Sequence, residues 1–151
     1  MEHGSDQWRF EGFSSPNFTS VADEFFDVLA PRLNGGEVKA LLYIVRRTFG
    51  FKKERDNISL SQMLNGIVKK NGERLDFGTG LSRPSLCRAL KTLTEKKVIV
   101  PTKQFDFNGG CVATSYQLRF RGSRATDRQT MHEETPGKKN EPHNIQLTIN
   151  S

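Results

Sequence analysis

One stretch of the chain, residues 79–97, combines basic, hydroxyl and apolar side chains at helical spacing. Leu86, Leu90 and Leu93 recur at i, i+4 and i+7, which predicts an amphipathic helix with the leucines facing a core. Ser82 is a favourable N-cap residue, because its hydroxyl can accept from an unpaired amide of the first turn. We therefore expect a helix that begins at Ser82 and buries its leucine face.

The opposite face of this helix carries groups that suit nucleic acid. A short turn that leads into a helix with outward basic and hydroxyl side chains presents donors to phosphates and to major-groove base edges. The same pattern is also typical of an ordinary amphipathic helix with a solvated basic face, and the helical wheel alone leaves both interpretations open. The candidate groove and phosphate contacts are Arg83, Ser85, Arg88, Lys91 and Thr92, with Arg88 the first choice for guanine.

Composition favours one basic domain with tails. The chain has 151 residues, of which 34% are hydrophobic, and its net charge is +6. Residues 21–121 hold eighteen basic and ten acidic side chains, a balance of +8, so the positive charge belongs to the part expected to fold. A pI of about 9.5 indicates a nucleic acid or another anionic partner.

Several classes of site find no support in the sequence. Cys87 and Cys111 stand in no metal-ligand spacing, and we expect two free thiols in a reducing compartment. Gly78-Thr79-Gly80 lacks the lysine and the preceding strand of a nucleotide-binding loop. We expect no catalytic residues, no metal and no cofactor. Without a signal pattern or a long apolar run, a cytoplasmic protein with no membrane partner is expected.

Three further helices are expected before this one. The first would be capped by Thr19 or Ser20 and end near Pro31. The second would follow Asn34 and be stopped by Gly50. The third is short and begins with a capping box at Ser59-Leu60-Ser61-Gln62. Residues 51–58 predict a short strand or an extended link, and residues 1–15 an N-terminal arm whose aromatic side chains pack on the core.

A basic flap is expected at residues 66–80, ahead of the candidate recognition helix. Asn71-Gly72 between extended residues is the usual signature of a tight hairpin. Lys69, Lys70 and Arg74 on this flap are candidate phosphate contacts, which would set affinity rather than specificity.

A second hairpin follows the helix and has the character of a wing. The β-branched run from Val98 and the alternation from Thr114 predict two strands joined at a glycine-rich tip, with Pro101 on an edge strand. Lys103, Asn108 and the glycine amides of the tip are candidate backbone contacts. The predicted fold is therefore mainly α with a small β-hairpin, a winged helix-turn-helix of four helices and a two- to three-stranded wing spanning residues 16–121.

The last segment, residues 122–151, is polar and holds too few apolar groups to offset the entropy of ordering, so we expect a disordered C-terminal tail. Within it, the alternating run Ile145-Gln146-Leu147-Thr148-Ile149 could add a strand to the sheet edge of a partner, although an inert tail end is the simpler interpretation.

Separated segments also occur in a recognisable order along residues 16–100. They are Pro16-Asn17, Glu24 to Leu29, Pro31 to Leu33, Glu37 to Phe51, Ile58 to Gln62, Gly80 to Arg83 and Arg88 to Leu90. Together they resemble the N-terminal domain of bacteriophage replication protein O. The resemblance implies a winged-helix domain that binds an origin of phage or related mobile DNA, and a second region that recruits the helicase machinery. The flap is longer than in a minimal version of the motif, and a sizeable recruitment region is missing.

Sequence-specific binding of double-stranded DNA in replication initiation is therefore the leading hypothesis. Helicase or helicase-loading proteins would be partners through the C-terminal tail, the part that remains for this role. One alternative keeps the fold but makes the chain a transcriptional regulator of a mobile element. A further alternative is a replisome protein-interaction module without specific DNA binding.

Overall fold

A computed structural model describes residues 8–121, which form a mixed α/β domain. Within this range there are four helices and three strands. The helices are a π-helical turn (Phe25–Leu29), α1 (Gly35–Thr48), α2 (Leu60–Asn65) and α3 (Arg83–Glu95), and the strands are β1 (Arg55–Asn57), β2 (Ile99–Phe105) and β3 (Cys111–Leu118). Two 3₁₀ turns, Ala30–Arg32 and Phe49–Phe51, follow the π-helical turn and α1. The arrangement confirms the predicted number of helices and is compatible with a winged helix, but it gives the sheet more weight than "mainly α" allowed.

Local capping explains where the α-helices begin. Asn34 Oδ1 accepts from the amide of Glu37 at 2.8 Å, and the amide of Asn34 donates to the Glu37 carboxylate at 3.2 Å. Ser59 and Gln62 form the same reciprocal capping box at α2, with distances of 3.1 and 3.0 Å. Each box satisfies two amides that would otherwise lack an acceptor. Both predicted starts are confirmed.

A single apolar core joins the helices to the sheet. Its fully buried side chains come from α1, α2, α3 and β2, so each element contributes to the same cluster. They include Leu41, Ile44, Met63, Leu86, Leu93 and Ile99. Burial of each such side chain is worth about 1.5–3 kcal/mol, which makes the leucine face of α3 a structural element under any function.

The sheet is antiparallel with the order β1-β3-β2. Strand β3 is central, so both of its edges are paired, and its adjacent residues Ser115 and Tyr116 are both buried. Strand β2 lies at an edge, where Pro101 costs no ladder hydrogen bond, as predicted. The segment predicted as a strand or an extended link contains β1, which pairs with β3.

The first helix differs from its prediction. Neither Thr19 nor Ser20 caps it: the π-helical turn begins at Phe25 after Glu24, and no side chain caps its first amides. The Thr19 hydroxyl instead lies 3.4 Å from the Arg46 guanidinium on α1. Pro31 lies in the 3₁₀ turn that follows, and without a backbone N–H it limits the helix at this end.

Two other local predictions are wrong. Gly50 does not stop α1, which ends at Thr48 and continues into a 3₁₀ turn; the left-handed residue that ends this turn is Lys52. The aromatic side chains of the arm do not pack on the core. Trp8 and Phe13 are 83% and 92% exposed, and both contact Phe10 instead. The first seven residues of the arm and the tail at 122–151, including the run at 145–149, lie outside the described residues.

Candidate nucleic-acid interface

Helix α3 is fixed at both ends by hydrogen bonds of its own backbone and cap. Ser82 Oγ accepts from the amide of Ser85 at 3.4 Å. At the other end, the amides of Lys97 and Val98 donate to the carbonyls of Thr94 and Leu93 at 3.0 and 2.9 Å. This is a Schellman motif, with Lys97 in the left-handed position that glycine usually occupies. The motif leads directly into β2, so the geometry of the helix end sets the direction of the hairpin.

The exposed face of α3 carries cations without intramolecular partners. Arg83, Arg88 and Lys91 are exposed, and their side chains make no hydrogen bond or ion pair with any part of residues 8–121. Lys96, on the turn after α3, differs from them, because its Nζ lies 3.2 Å from the buried Glu37 carboxylate. The free donors of α3 are therefore available to an external acceptor at little cost in broken contacts.

Three of the predicted α3 residues lie together in a groove. Ser85, Arg88 and Thr92 line it on one flank of α3, facing the beginning of α1 at Asn34 and Gly36. The groove has a volume of about 470 Å³. Ser85 is half-buried, and its hydroxyl lies 3.0 Å from that of Ser82. Ser85 thus helps to cap the helix, which leaves Arg88 as the long charged donor of this groove.

The flap is a tight hairpin, as predicted, with one isolated bridge between Val68 and Arg74. Its base is closed by two glycines in the left-handed region, Gly66 and Gly78, with φ of 81° and 77°. A Cβ at Gly78 would lie 2.8 Å from the backbone of both Gly66 and Met63. The adjoining amide of Thr79 donates to the Met63 carbonyl at 2.7 Å. This contact between backbones holds the flap against α2 just before α3 begins.

A polar network joins the flap to α1 and β1. The hydroxyl of Tyr43 lies 3.1 and 3.2 Å from the two carboxylate oxygens of Asp76. The Oδ1 atom of Asp76 also accepts a hydrogen bond from the amide of Gly78. The nearly buried guanidinium of Arg47 lies 3.8 Å from Asp56 and 3.9 Å from Asp76. The Asp76 carboxylate is thus fixed by two side chains of α1 and one amide of the flap itself.

Burial shifts the titration of both tyrosines. Burial, and then the Asp76 carboxylate, raise the pKa of Tyr43 above its ordinary value of 10.0. Burial also raises the pKa of Tyr116. A raised pKa means that the folded state binds the proton more tightly, so this stabilisation is complete below pH 10 and is lost as the pH rises through the folded pKa.

We expect the folded chain to show less tyrosinate absorbance at 295 nm near pH 10 than the chain in urea, where tyrosine titrates near 10. Above that range, tyrosine ionisation and loss of the far-ultraviolet circular dichroism should coincide, since the free energy of unfolding falls as the pH rises. Half of the full tyrosinate signal near pH 10 with an intact dichroism spectrum would contradict the network described for Tyr43.

The three predicted flap cations differ in their availability. The ammonium of Lys69 lies 2.9 Å from the Glu73 carboxylate. Arg74 donates to the carbonyl of Asn65 at 2.8 Å and lies over the ring of Phe77. Lys70 is exposed and makes no such contact within residues 8–121. Of the three, Lys70 is the cation that an external phosphate would meet unpaired.

The loop that joins β2 to β3, residues 106–110, is organised around Asp106. Its Oδ1 accepts from the amides of Asn108 and Gly110 at 2.9 and 2.8 Å, and its carbonyl accepts from the amide of Gly109 at 3.0 Å. The amides predicted to approach phosphates are therefore occupied within the loop, and a phosphate would have to displace the Asp106 oxygens to reach them. Lys103 on β2 is exposed and without a side-chain partner in the described range. The Asn108 side chain is exposed as well, so both remain candidate contacts.

The described range offers neither a metal site nor a membrane-spanning helix. Among residues 8–121, His, Cys, Asp and Glu side chains do not form a group of three or more that could hold a metal. Within that range there is also no helix with the length and apolar character needed to cross a bilayer.

Comparisons with known proteins bear on the same domain. No curated protein and no solved structure matches the chain. The family model for bacteriophage replication protein O matches residues 15–110, which include α1, the flap, α3, β2 and the loop that follows β2, and end before β3. This match covers well over half of the chain. The protein therefore belongs to the bacteriophage replication protein O family, a family of phage DNA replication proteins.

Proposed function

We propose that the chain binds double-stranded DNA in a sequence-specific manner at a replication origin of a phage or a related mobile element. The observation that carries this proposal is the exposed face of α3, where Arg83, Arg88 and Lys91 have no partner within residues 8–121. Family membership supports the replication context. A winged helix formed by α3 and the β2–β3 hairpin would bring these cations to a duplex.

In this proposal α3 enters the major groove and the hairpin lies along the backbone or the minor groove. Arg88 donates to a guanine edge, since a guanidinium can pair with both O6 and N7. Lys91, Lys103 and Lys70 contact phosphates, which fixes the orientation of the protein on the duplex without specifying sequence. The paired cations Lys69 and Arg74 contribute less, because phosphate would have to displace their present partners.

The phosphate contacts predict a salt signature. Replacing Lys91 by alanine should weaken binding to all duplexes alike and reduce the slope of log K against log salt by about 1. Lys53→Ala is the matched control, because the Lys53 ammonium lies 3.2 Å from Asp56 on β1. Fluorescence anisotropy titrations at several salt concentrations measure both slopes. An equal change of slope in the two variants would show that Lys91 acts only through net charge.

The place of the bound sequence in the source DNA tests the proposed role. Fragments of the genome that encodes the chain are captured by the purified protein and sequenced. An initiator predicts several repeated sites within one short stretch that supports replication. One or two sites that overlap a promoter would instead favour a transcriptional regulator, and uniform recovery of fragments would favour a protein-interaction module.

We further propose that residues 122–151 recruit helicase or a helicase-loading protein, because the domain itself is occupied with DNA in this account. Deleting the tail should leave duplex affinity unchanged and abolish co-purification of the replication machinery. Loss of duplex binding on deletion would assign the tail to DNA instead.

A further inference from the structure

The tip of the wing exposes large apolar side chains. Phe107 is fully exposed, and Phe105 and Val112 are 61% and 67% exposed. The ladder between β2 and β3 shifts register beyond Gln104, so that Phe105 pairs with Cys111 and Val112 is left without a partner. We call Phe105, Val112 and the loop 106–110 the wing tip. Several apolar side chains exposed at one end of a hairpin are typical of a surface that contacts a partner.

The loop holds Phe107 in a defined position. Phe107 lies within the turn closed by the Gly109 amide on the Asp106 carbonyl, and the Asp106 carboxylate accepts from the amides of Asn108 and Gly110, which follow Phe107. Gly109, with φ of 79°, supplies the left-handed position that closes it. A ring displayed by an ordered loop loses little conformational entropy when it is buried in a complex.

Charge indicates the kind of partner. Residues 83–105, which comprise α3, the Schellman turn and β2, contain six basic side chains and one acidic side chain. The hairpin continues directly from α3, and Lys103 shares the sheet face of Ile99, which packs on the helices. Within the tip, the single carboxylate of Asp106 is neutralised in part by two amide hydrogen bonds. An apolar ring at the end of a basic surface fits a polyanion with stacked apolar bases, namely duplex DNA.

We propose that Phe107 is a wedge that inserts between base pairs of the duplex held by α3 and unstacks one step. Apolar side chains that enter a base step in this way kink DNA and enlarge the contact between protein and duplex. At an origin, the same insertion would weaken a step beside the bound sequence. The inference rests on the proposed function in one respect, since the basic surface of α3 must hold the duplex while the wing tip inserts.

The wedge predicts a preference for DNA in which the unstacking has already occurred. Two synthetic duplexes of about 30 base pairs are compared, identical except for one central mismatched pair, which is cheaper to unstack. The full chain should bind the mismatched duplex about tenfold more tightly, and Phe107→Ala should bind both within about twofold. Phe18→Ala is the matched control, because Phe18 is 89% exposed outside the wing and should keep the preference. Because Phe107 is exposed, its removal leaves the core intact, which circular dichroism verifies.

The outcomes separate this inference from the proposed function. An equal affinity of the wild-type chain for the two duplexes overturns the wedge, as does a preference that survives in Phe107→Ala. If the chain enriches a specific sequence but shows no mismatch preference, the proposed function stands and the wedge fails. If the preference depends on Phe107 but no sequence is enriched, the wedge stands and sequence-specific binding fails. Unchanged binding of both duplexes in Phe107→Ala would likewise overturn the wedge.

Discussion

Replacing Arg88 by alanine should lower affinity for the specific duplex by about 5- to 150-fold, the equivalent of about 1–3 kcal/mol, and relax the preference at one base pair. Arg88 is exposed on α3, lines the groove towards α1, and has no partner in the described domain that competes with a base. Arg88→Lys should recover phosphate attraction but not the preference, because an ammonium lacks the planar pair of donors. Competition titrations against single-base variants of the duplex measure both effects.

Arg55→Ala is the control for this loss of charge. Arg55 is exposed on β1, at the sheet edge opposite β2. Its replacement by alanine removes one positive charge, as the replacement of Arg88 does. We expect a small, sequence-independent loss that grows weaker at high salt. If Arg55→Ala and Arg88→Ala lose equal affinity and both keep the full base preference, Arg88 does not read sequence.

The largest effect on stability is expected at the base of the flap. Gly78→Ala should lower the free energy of unfolding by about 2–5 kcal/mol, since an alanine in the left-handed region costs about 1–2 kcal/mol and forced overpacking about 1–3 kcal/mol more. The new Cβ would lie 2.8 Å from backbone atoms of Gly66 and Met63, which cannot move aside as a flexible side chain would. Urea denaturation followed by circular dichroism measures the loss.

Gly72→Ala separates the two contributions. Gly72 also has a positive φ of 86°, but a Cβ there would meet no atom within 4 Å. It should cost only the conformational part, about 1–2 kcal/mol. Equal losses at Gly72 and Gly78 would show that the close backbone contact at the base of the flap does not stabilise the domain.

What the sequence predicted well depends on interactions a few residues apart. Asn34, Ser59 and Ser82 were predictable as caps because each accepts from an amide three residues on. The burial of Leu86 and Leu93 follows from helical periodicity in the same way. In these places local propensity and tertiary packing favour the same structure.

The features that sequence reasoning missed depend on residues far apart in the chain. The hydrogen bond from Tyr43 to Asp76 spans 33 residues, and nothing local marks either residue as a partner of the other. The hydrogen bond from Arg74 to the Asn65 carbonyl, nine residues earlier, likewise follows from how the flap folds back. Gly66 and Gly78 looked like ordinary loop glycines, and only their mutual contact shows why a side chain is excluded.

The sequence predicted which residues belong to the candidate interface, but not which of their charged groups lack a partner within the domain. The sequence indicated which cations lie on α3, the flap and the wing, but it could not separate Lys70 from Lys69, whose ammonium is paired with Glu73. It also favoured glycine amides at the wing tip, because it gave no weight to Asp106, which occupies them. The neighbouring Phe107 then becomes the prominent group, and its signal was an aromatic side chain directly before the predicted glycine-rich tip.

Selection of bound duplexes from a random pool at about 150 mM salt tests the central claim most directly. The wild-type chain should enrich one sequence motif, and Arg88→Ala, selected in parallel, should lose or relax one position of it. Failure of the wild-type chain to enrich any motif, with residual binding that collapses as salt rises, would contradict sequence-specific recognition by α3.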